Sequence, residues 1–592
     1  MVTNHGLSGE AFTALASGDG GPAAVQHLCD VQYSKHLMLL HAVATEAAGA
    51  HPMSPEITAS RSGYEILVRV QEASPDTLAW LLQLPHIGAW AHDCLESKAR
   101  GQSPDFGYMA TAAAAAAVRA GVQFELDVPV RDGRVLLPGL GYFHGIAPPD
   151  SWVRLRSDGE HLTVGTFTGA RCSALVPNEA SSEPVPQWQG TYTVRAVAEG
   201  QTWTVLLETT DQYLNRFALP MSAAMTAEDV RGWQSRIQSA WEVLVRHHGW
   251  AAGSIAAGVS VIVPLTPGSE TGSDSATTPA AFGAIATSLP PDPVFLAETL
   301  VHEVQHLTLC GLQDMVPLTK RCDEWVYAPW RPDPRPAGAL LQGIYAHLGV
   351  ARFWGTQRHV ETEPDAILRA QVMFERWRSM TESATATLLQ TDCLTEAGTW
   401  FGVMLRQRGQ RMASAAVPAD ARDIARQVAL NHWLIWQLRH AAIDATAVAD
   451  AAGAYQHGEP LPDRALPEAR VQKETRKVDS AARSHLLSMR FLEPAEYRRL
   501  SDAGLPGLSE ADRFLVSGQA SMAVQAYRDE ICTASEPLPD AWAGLAVAIH
   551  LLAQTPLLPA FATRLPFMFD VHTRLVGQGM RSDPLELAAW FA

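Results

Sequence analysis

Five residues, His302-Glu303-Val304-Gln305-His306, constrain this chain more than any other feature of it. Histidines four apart sit one turn from each other on the same side of a helix, so both imidazoles address one place. The flanking sequence writes that helix. Asp292-Pro293 places a favoured N-cap before a residue suited to the first turn, and Gly311 is the expected end. Leu296 and Leu300 before the motif, with Leu307 and Leu309 after it, predict burial. Two imidazoles and a carboxylate in an apolar setting need partners, and one divalent cation serves all three. The motif fixes only three positions, so these surroundings carry the weight of the reading. The apolar segment Phe282-Gly-Ala-Ile-Ala-Thr287 is expected to form an edge strand beside the helix.

The rest of the composition narrows the setting. The chain has 592 residues, 47% of them hydrophobic, enough for two to four folded units. A net charge of -17 argues against nucleic acid, whose backbone needs a basic face. No run reaches the roughly 18 apolar residues of a membrane span, and the first ten residues lack the basic and apolar regions of a secretory signal. The seven cysteines, at 29, 94, 172, 310, 322, 393 and 532, are odd in number, and no two have Cys-x-x-Cys spacing. That pattern suits reduced thiols in a cytoplasmic protein and excludes a zinc ribbon.

Periodicity divides the chain. Residues 1–121 read as helical, with Leu37 and Leu40, then Leu78, Leu81 and Leu82, at helical spacing, while Leu15 and Leu28 stand too isolated to count. Residues 122–218 alternate apolar and polar as strands do, broken by a loop at 177–187. Residues 219–455 return to helix around the metal motif. They begin with an amphipathic stretch from Thr226 to His248 and a strand at 259–263, and include a low-complexity tract at 266–280 expected to be a mobile loop. A linker at 456–476 leads to a helical tail, 477–592, whose Ala526-Tyr527 and Asp540–Ala546 suggest one tetratricopeptide-like unit or plain helical packing. The expected class is α+β, mainly α, with a zincin-like metal helix and no jelly-roll barrel.

A catalytic metal needs a third protein ligand and open positions. Leu309 and Leu312 exclude the metzincin extension. Glu324, in a stretch that does not read as a helix, is one candidate. His347 is the better one: it shares a helical face with Leu340, Gly343, Ile344 and Ala351, and Gly343 leaves room one turn before it. A core histidine bonded to a backbone carbonyl is the alternative. Arg331 and Arg335, in the proline-rich run Trp330-Arg-Pro-Asp-Pro-Arg-Pro336, carry guanidiniums suited to a carboxylate, or to a surface ion pair with Asp333.

The motif, together with Asp314-Met-Val-Pro-Leu, Tyr327-Ala-Pro-Trp-Arg-Pro-Asp-Pro-Arg-Pro and Leu340-Leu-Gln-Gly-Ile-Tyr-Ala-His-Leu-Gly-Val-Ala, resembles the HExxH-motif 2-oxoglutarate/Fe(II)-dependent peptide β-hydroxylases of peptide natural-product (RiPP) clusters. The likeness is strongest over 283–355. It runs more loosely through Leu39-Leu40, Trp90 and Asp105-Phe-Gly-Tyr-Met-Ala. No Cys-x3-Cys-x2-Cys run is present, so the resemblance is to a stand-alone member. It implies Fe(II) held by His302, His306 and His347, 2-oxoglutarate anchored by Arg331 or Arg335, O2 as oxidant, a precursor peptide as substrate, and a supporting role for Glu303.

Two other readings compete. In a gluzincin-type zinc peptidase, Glu303 is the general base of a zinc-bound water and Glu324 the third ligand. In a helical adaptor the motif is degenerate and the tail does the work. His359-Val-Glu361 with His432 imitates a barrel-type ligand set, in a charged, helix-prone stretch that does not suit it.

Overall fold

The computed structural model describes residues 5–49, 54–166, 171–175, 187–215, 217, 219–222, 225–266, 274–462, 469–478, 480–505, 507–552 and 555–592. The chain is mainly helical with small sheets and no closed barrel, as the periodicity requires. It packs as two units, Met1–Val316 and Pro317–Ala592. Their boundary falls just behind the metal helix, inside the stretch 219–455 expected to form one domain. No helix among the described residues is long and apolar enough to cross a membrane.

The first unit opens with six helices: α1 (Gly9–Ser17), α2 (Gly21–Ala48), α3 (Pro55–Ala73), α4 (Pro75–Gln83), α5 (Pro85–Ala99) and α6 (Tyr108–Ala120). Leu40, Leu78, Leu81 and Leu82 are buried and Leu37 half-buried. Leu15 and Leu28 are buried too, because a neighbouring helix can cover a single apolar side chain that no periodicity announces.

Nine strands follow: β1 (Phe124–Pro129), β2 (Arg134–Leu137), β3 (Gly141–His144), β4 (Trp152–Ser157), β5 (His161–Thr166), β6 (Arg171–Leu175), β7 (Trp188–Gly190), β8 (Tyr192–Ala198) and β9 (Gln201–Leu207). They do not form one section. One sheet runs β1-β4-β5-β6 and another β2-β3-β7. β8 and β9 leave to join a five-stranded sheet with strands from beyond residue 219. Most of the expected loop at 177–187 lies outside the described residues.

That five-stranded sheet carries the helix of the His302–His306 motif. After β9 come α7 (Ala227–His247), with the capping box of Thr226 and Asp229, and α8 (Gly249–Gly258). They return the chain to β10 (Val261–Pro264), parallel to β9. A parallel pair needs such a crossover. β11 (Ser275–Ala276) and β12 (Ala284–Thr287) complete the order β11-β12-β10-β9-β8, with β12 parallel to β10 and β11 antiparallel to β12. β10 and β12 are buried throughout, as strands covered on both faces must be. The segment expected at the edge is thus interior, and β11 is the edge.

α9 (Pro293–Met315) packs beside this sheet against α2, α7 and α8. The Asp292 carboxylate accepts from the Val294 amide at 2.8 Å, as the cap predicted. Gly311 does not end the helix. It lies within it, where a Cβ would stand 3.0 Å from the Phe282 ring and 3.3 Å from Leu28 Cβ, so it is there for close packing.

A buried polar cluster ties the helices to β9. Tyr108 donates to Asp211 at 2.5 Å, Tyr213 to Asp105 at 2.7 Å, and Arg131 to Asp105 at 2.8 Å. His86 Nε2 stands 3.2 Å from Glu208. Burial alone would raise the Glu208 pKa, but His86 and Thr210 outweigh it and hold the carboxyl down at about 2. Asp211, buried beside Glu208, is pushed up to about 6.

In the second unit a small antiparallel pair, β13 (Trp325–Val326) and β14 (Arg335–Pro336), precedes α10 (Ala337–Gln357). α11 (Pro364–Gln390), α12 (Glu396–Ala413) and α13 (Ala419–His440) pack with it. Part of the expected linker, 463–468, lies outside the described residues, but Arg470–Val471 pairs with Ala441–Ala442, so this stretch is tied into the unit. In the tail, Tyr527 of helix Ala520–Thr533 fills the space above Gly544 of helix Pro539–Leu551. Buried Arg483 bridges Asp512 and Asp540 at 2.8 and 2.9 Å.

Candidate metal centre

Along α9 from 301 to 312, only His302, His306 and Cys310 are not fully buried, and they share one face. His302 keeps 22% of its side chain exposed. The two imidazoles meet there, with Nε2 atoms 3.1 Å apart and ring planes crossed at 77°. That separation is the length of an N–H···N hydrogen bond, so the two rings already address one point in front of α9.

Glu303 points elsewhere. It is 2% exposed, and Oε1 accepts from Ser275 Oγ at 2.7 Å while standing 4.0 Å from His302 Nε2. Oε2 is buried with no hydrogen-bond partner. Burial raises the carboxyl pKa, against the lowering effects of His306, Ser275 and Thr277. The two converging imidazoles are the residues here that could hold a cation, with a buried carboxylate beside them.

Nothing in the residue pattern points to Ser275. It lies in the tract 266–280 expected to be mobile. Residues 267–273 fall outside the described set, but Ser275–Ala276 forms β11 against β12. The tract's polar, small-residue composition concealed a strand because two residues show no period.

His347 lies in the second unit, on α10, 7% exposed. Its Nδ1 stands 2.8 Å from the Gly343 carbonyl. A carbonyl only accepts, so Nδ1 is the donor, as in a metal-ligating histidine and equally in a satisfied core one. The ring is stacked on Trp330, centroids 4.4 Å apart, and packed on Trp377 at 4.3 Å. The room left by Gly343 is taken by the Trp330 indole, whose Cζ2 a Cβ at 343 would meet at 2.3 Å.

Arg331 and Arg335 both pair with Asp333, at 3.1 and 3.3 Å, on side chains about half and one-third exposed. Glu324 is exposed, 3.7 Å from the sulfur of Cys393. Cys322 and Cys393, expected as separate thiols, are joined as a disulfide. With Glu324 they make the group of three metal-ligand side chains found within 4.8 Å of one another among the described residues. The barrel-like set does not assemble: Glu361 accepts from Gln357 at 2.6 Å and His432 Nδ1 lies 2.8 Å from the Tyr327 hydroxyl.

No family model matches the chain, and no curated protein matches it.

Proposed function

We propose that the chain is a mononuclear Fe(II)- and 2-oxoglutarate-dependent hydroxylase acting on Cβ of a residue in a ribosomally made precursor peptide. One observation supports it above the rest: the two Nε2 atoms of α9 converge to 3.1 Å, where a single ion would take both. His302 and His306 hold the metal. The resemblance gives His347 as the third ligand; within its own unit the ring donates Nδ1–H to the Gly343 carbonyl. Bound iron with 2-oxoglutarate and O2 supplies the oxidising chemistry.

In a zinc peptidase Glu303 would be the general base; in this reading it has a supporting role beside His302, its Oε1 held by Ser275 and 4.0 Å from Nε2. Arg331 or Arg335 anchors the far carboxylate of 2-oxoglutarate. Their shared ion pair with Asp333 is half-exposed, a kind worth about 0–1 kcal/mol, so a dicarboxylate competes with it readily.

The test is mass spectrometry of a candidate precursor peptide coexpressed with the protein. A gain of one oxygen, absent from His302→Ala, is the expected result. Anaerobic Fe(II) protein that shows no visible charge-transfer band with saturating 2-oxoglutarate would overturn the assignment. Copurified zinc and a cleaved peptide would put the peptidase in its place.

A further inference from the structure

Away from the histidine pair, the second unit brings a different set of donors together. Cys322 and Cys393 are 71 residues apart in sequence, yet their Cα atoms are 5.6 Å apart. The disulfide is not what holds them. Lys320 donates its amide to the Cys393 carbonyl at 2.8 Å, Thr395 donates to the Leu318 carbonyl at 3.1 Å, and Thr319 bridges Leu394. Opening the S–S bond therefore leaves Cys393 paired with Lys320, and Cys322 tethered two residues from that pairing. Cys393 is buried, Cys322 half-buried, and the exposed Glu324 carboxylate lies beside them, with no ion pair among the described residues.

We infer that Cys322, Cys393 and Glu324 form a thiophilic cation site in the reduced protein, for Zn2+, which oxidation closes as the disulfide. The reasons are chemical. On reduction, three groups able to carry negative charge lie within 4.8 Å of one another, and like charges at that range repel unless protons or a cation intervene. Thiolate sulfur selects zinc over iron, so this site and the histidine pair take different metals. Two sulfurs and one oxygen leave a fourth, tetrahedral position to water.

The steps balance. A dithiol reductant gives two electrons and two protons to the S–S bond and leaves as its own disulfide. Zn2+ then displaces both thiol protons to solvent. The site also borders a feature of its own unit. Glu324, Trp325 and Tyr327 line a cavity of about 1,050 Å3 together with Arg426 and Trp433, the Tyr327 and Trp433 rings in contact at 4.5 Å. A carboxylate drawn onto a cation changes that lining.

Cobalt(II) reports thiolate ligation by a near-ultraviolet charge-transfer band. Full-length protein, reduced with a dithiol and desalted anaerobically, is titrated with Co2+ and then with Zn2+. One equivalent of Co2+ is expected to raise the band, Zn2+ to remove it, and the oxidised protein to show none. Cys322→Ser abolishes the band, and Glu324→Gln weakens Co2+ binding at least tenfold. Combined His302→Ala and His306→Ala leave the band intact, which separates this site from the proposed iron centre. No band in reduced protein, a band that survives Cys322→Ser, or unchanged affinity in Glu324→Gln overturns the assignment.

Discussion

The indole of Trp330 lies flat against the imidazole of His347, ring centroids 4.4 Å apart and planes 24° from parallel. With Trp377 on another side, this histidine is part of a packed aromatic stack as well as a candidate ligand. His347→Ala should leave a cavity costing about 2–4 kcal/mol, which would blur any effect on metal. His347→Phe keeps the stack and removes only the nitrogen. It should melt near wild type and bind iron much more weakly. Full iron occupancy in that variant strikes His347 from the ligand set.

For the histidines of α9 the expectation is simpler. Both rings are only partly exposed, His302 keeping 22%, so the readout is the response to metal rather than the basal melting temperature. Iron at a hundred times its dissociation constant stabilises a protein by about 2.7 kcal/mol. Wild type should show that gain in melting on adding anaerobic Fe(II). His302→Ala and His306→Ala should show none, with iron content near zero by atomic emission.

Glu303→Gln distinguishes a supporting carboxylate from a general base. Loss of such a partner costs roughly 10–100-fold in metal affinity. Hydroxylation should survive at saturating iron, and Ser275→Ala should act in the same direction, more mildly. Activity that vanishes in Glu303→Gln while iron stays fully bound would place the carboxylate in the chemistry itself.

How much of this was legible in the sequence depends on the range of the signal. The Asp292 cap, the apolar stripe and the histidine spacing are local, and α9 follows from them. Gly311 was misread because glycine marks a helix end or a close approach equally well, and only Phe282 and Leu28, distant in the chain, decide between the two. The β-rich section was legible as strands but not as sheets: nothing in β9 itself says that its partner is β10, more than fifty residues on. Cys322 and Cys393 were invisible as a pair for the same reason.

The arginines yield a prediction of opposite signs. Whichever of Arg331 and Arg335 anchors 2-oxoglutarate, its change to Ala should raise the cosubstrate KM roughly tenfold to a hundredfold, the worth of a charged hydrogen bond. Asp333→Ala, which frees both guanidiniums, should lower KM by a few fold with melting unchanged. If none of the three variants moves KM, the carboxylate is bound elsewhere.

Asp211 predicts a pH dependence of folding. Its folded-state pKa, pushed by burial to about 6, lies above the ordinary carboxylate value near 3.9. The folded chain thus holds a proton that the unfolded chain releases, so this group's stabilisation is complete below about pH 4 and is lost as pH rises through about 6. Asp211→Asn, which retains an oxygen for the Tyr108 hydroxyl, should flatten the fall in melting temperature across that window. An unchanged slope rules the residue out as its source.

The short strand at Ser275 carries a lesson about which changes this chain can absorb. Side chains alternate across a strand, so one residue gained or lost between 275 and the turn into β12 would swing the hydroxyl away and offer Ala276 in its place. Natural variants of this protein should therefore keep strict spacing between Ser275 and β12, a constraint that aligned genomes would display without any experiment on the protein.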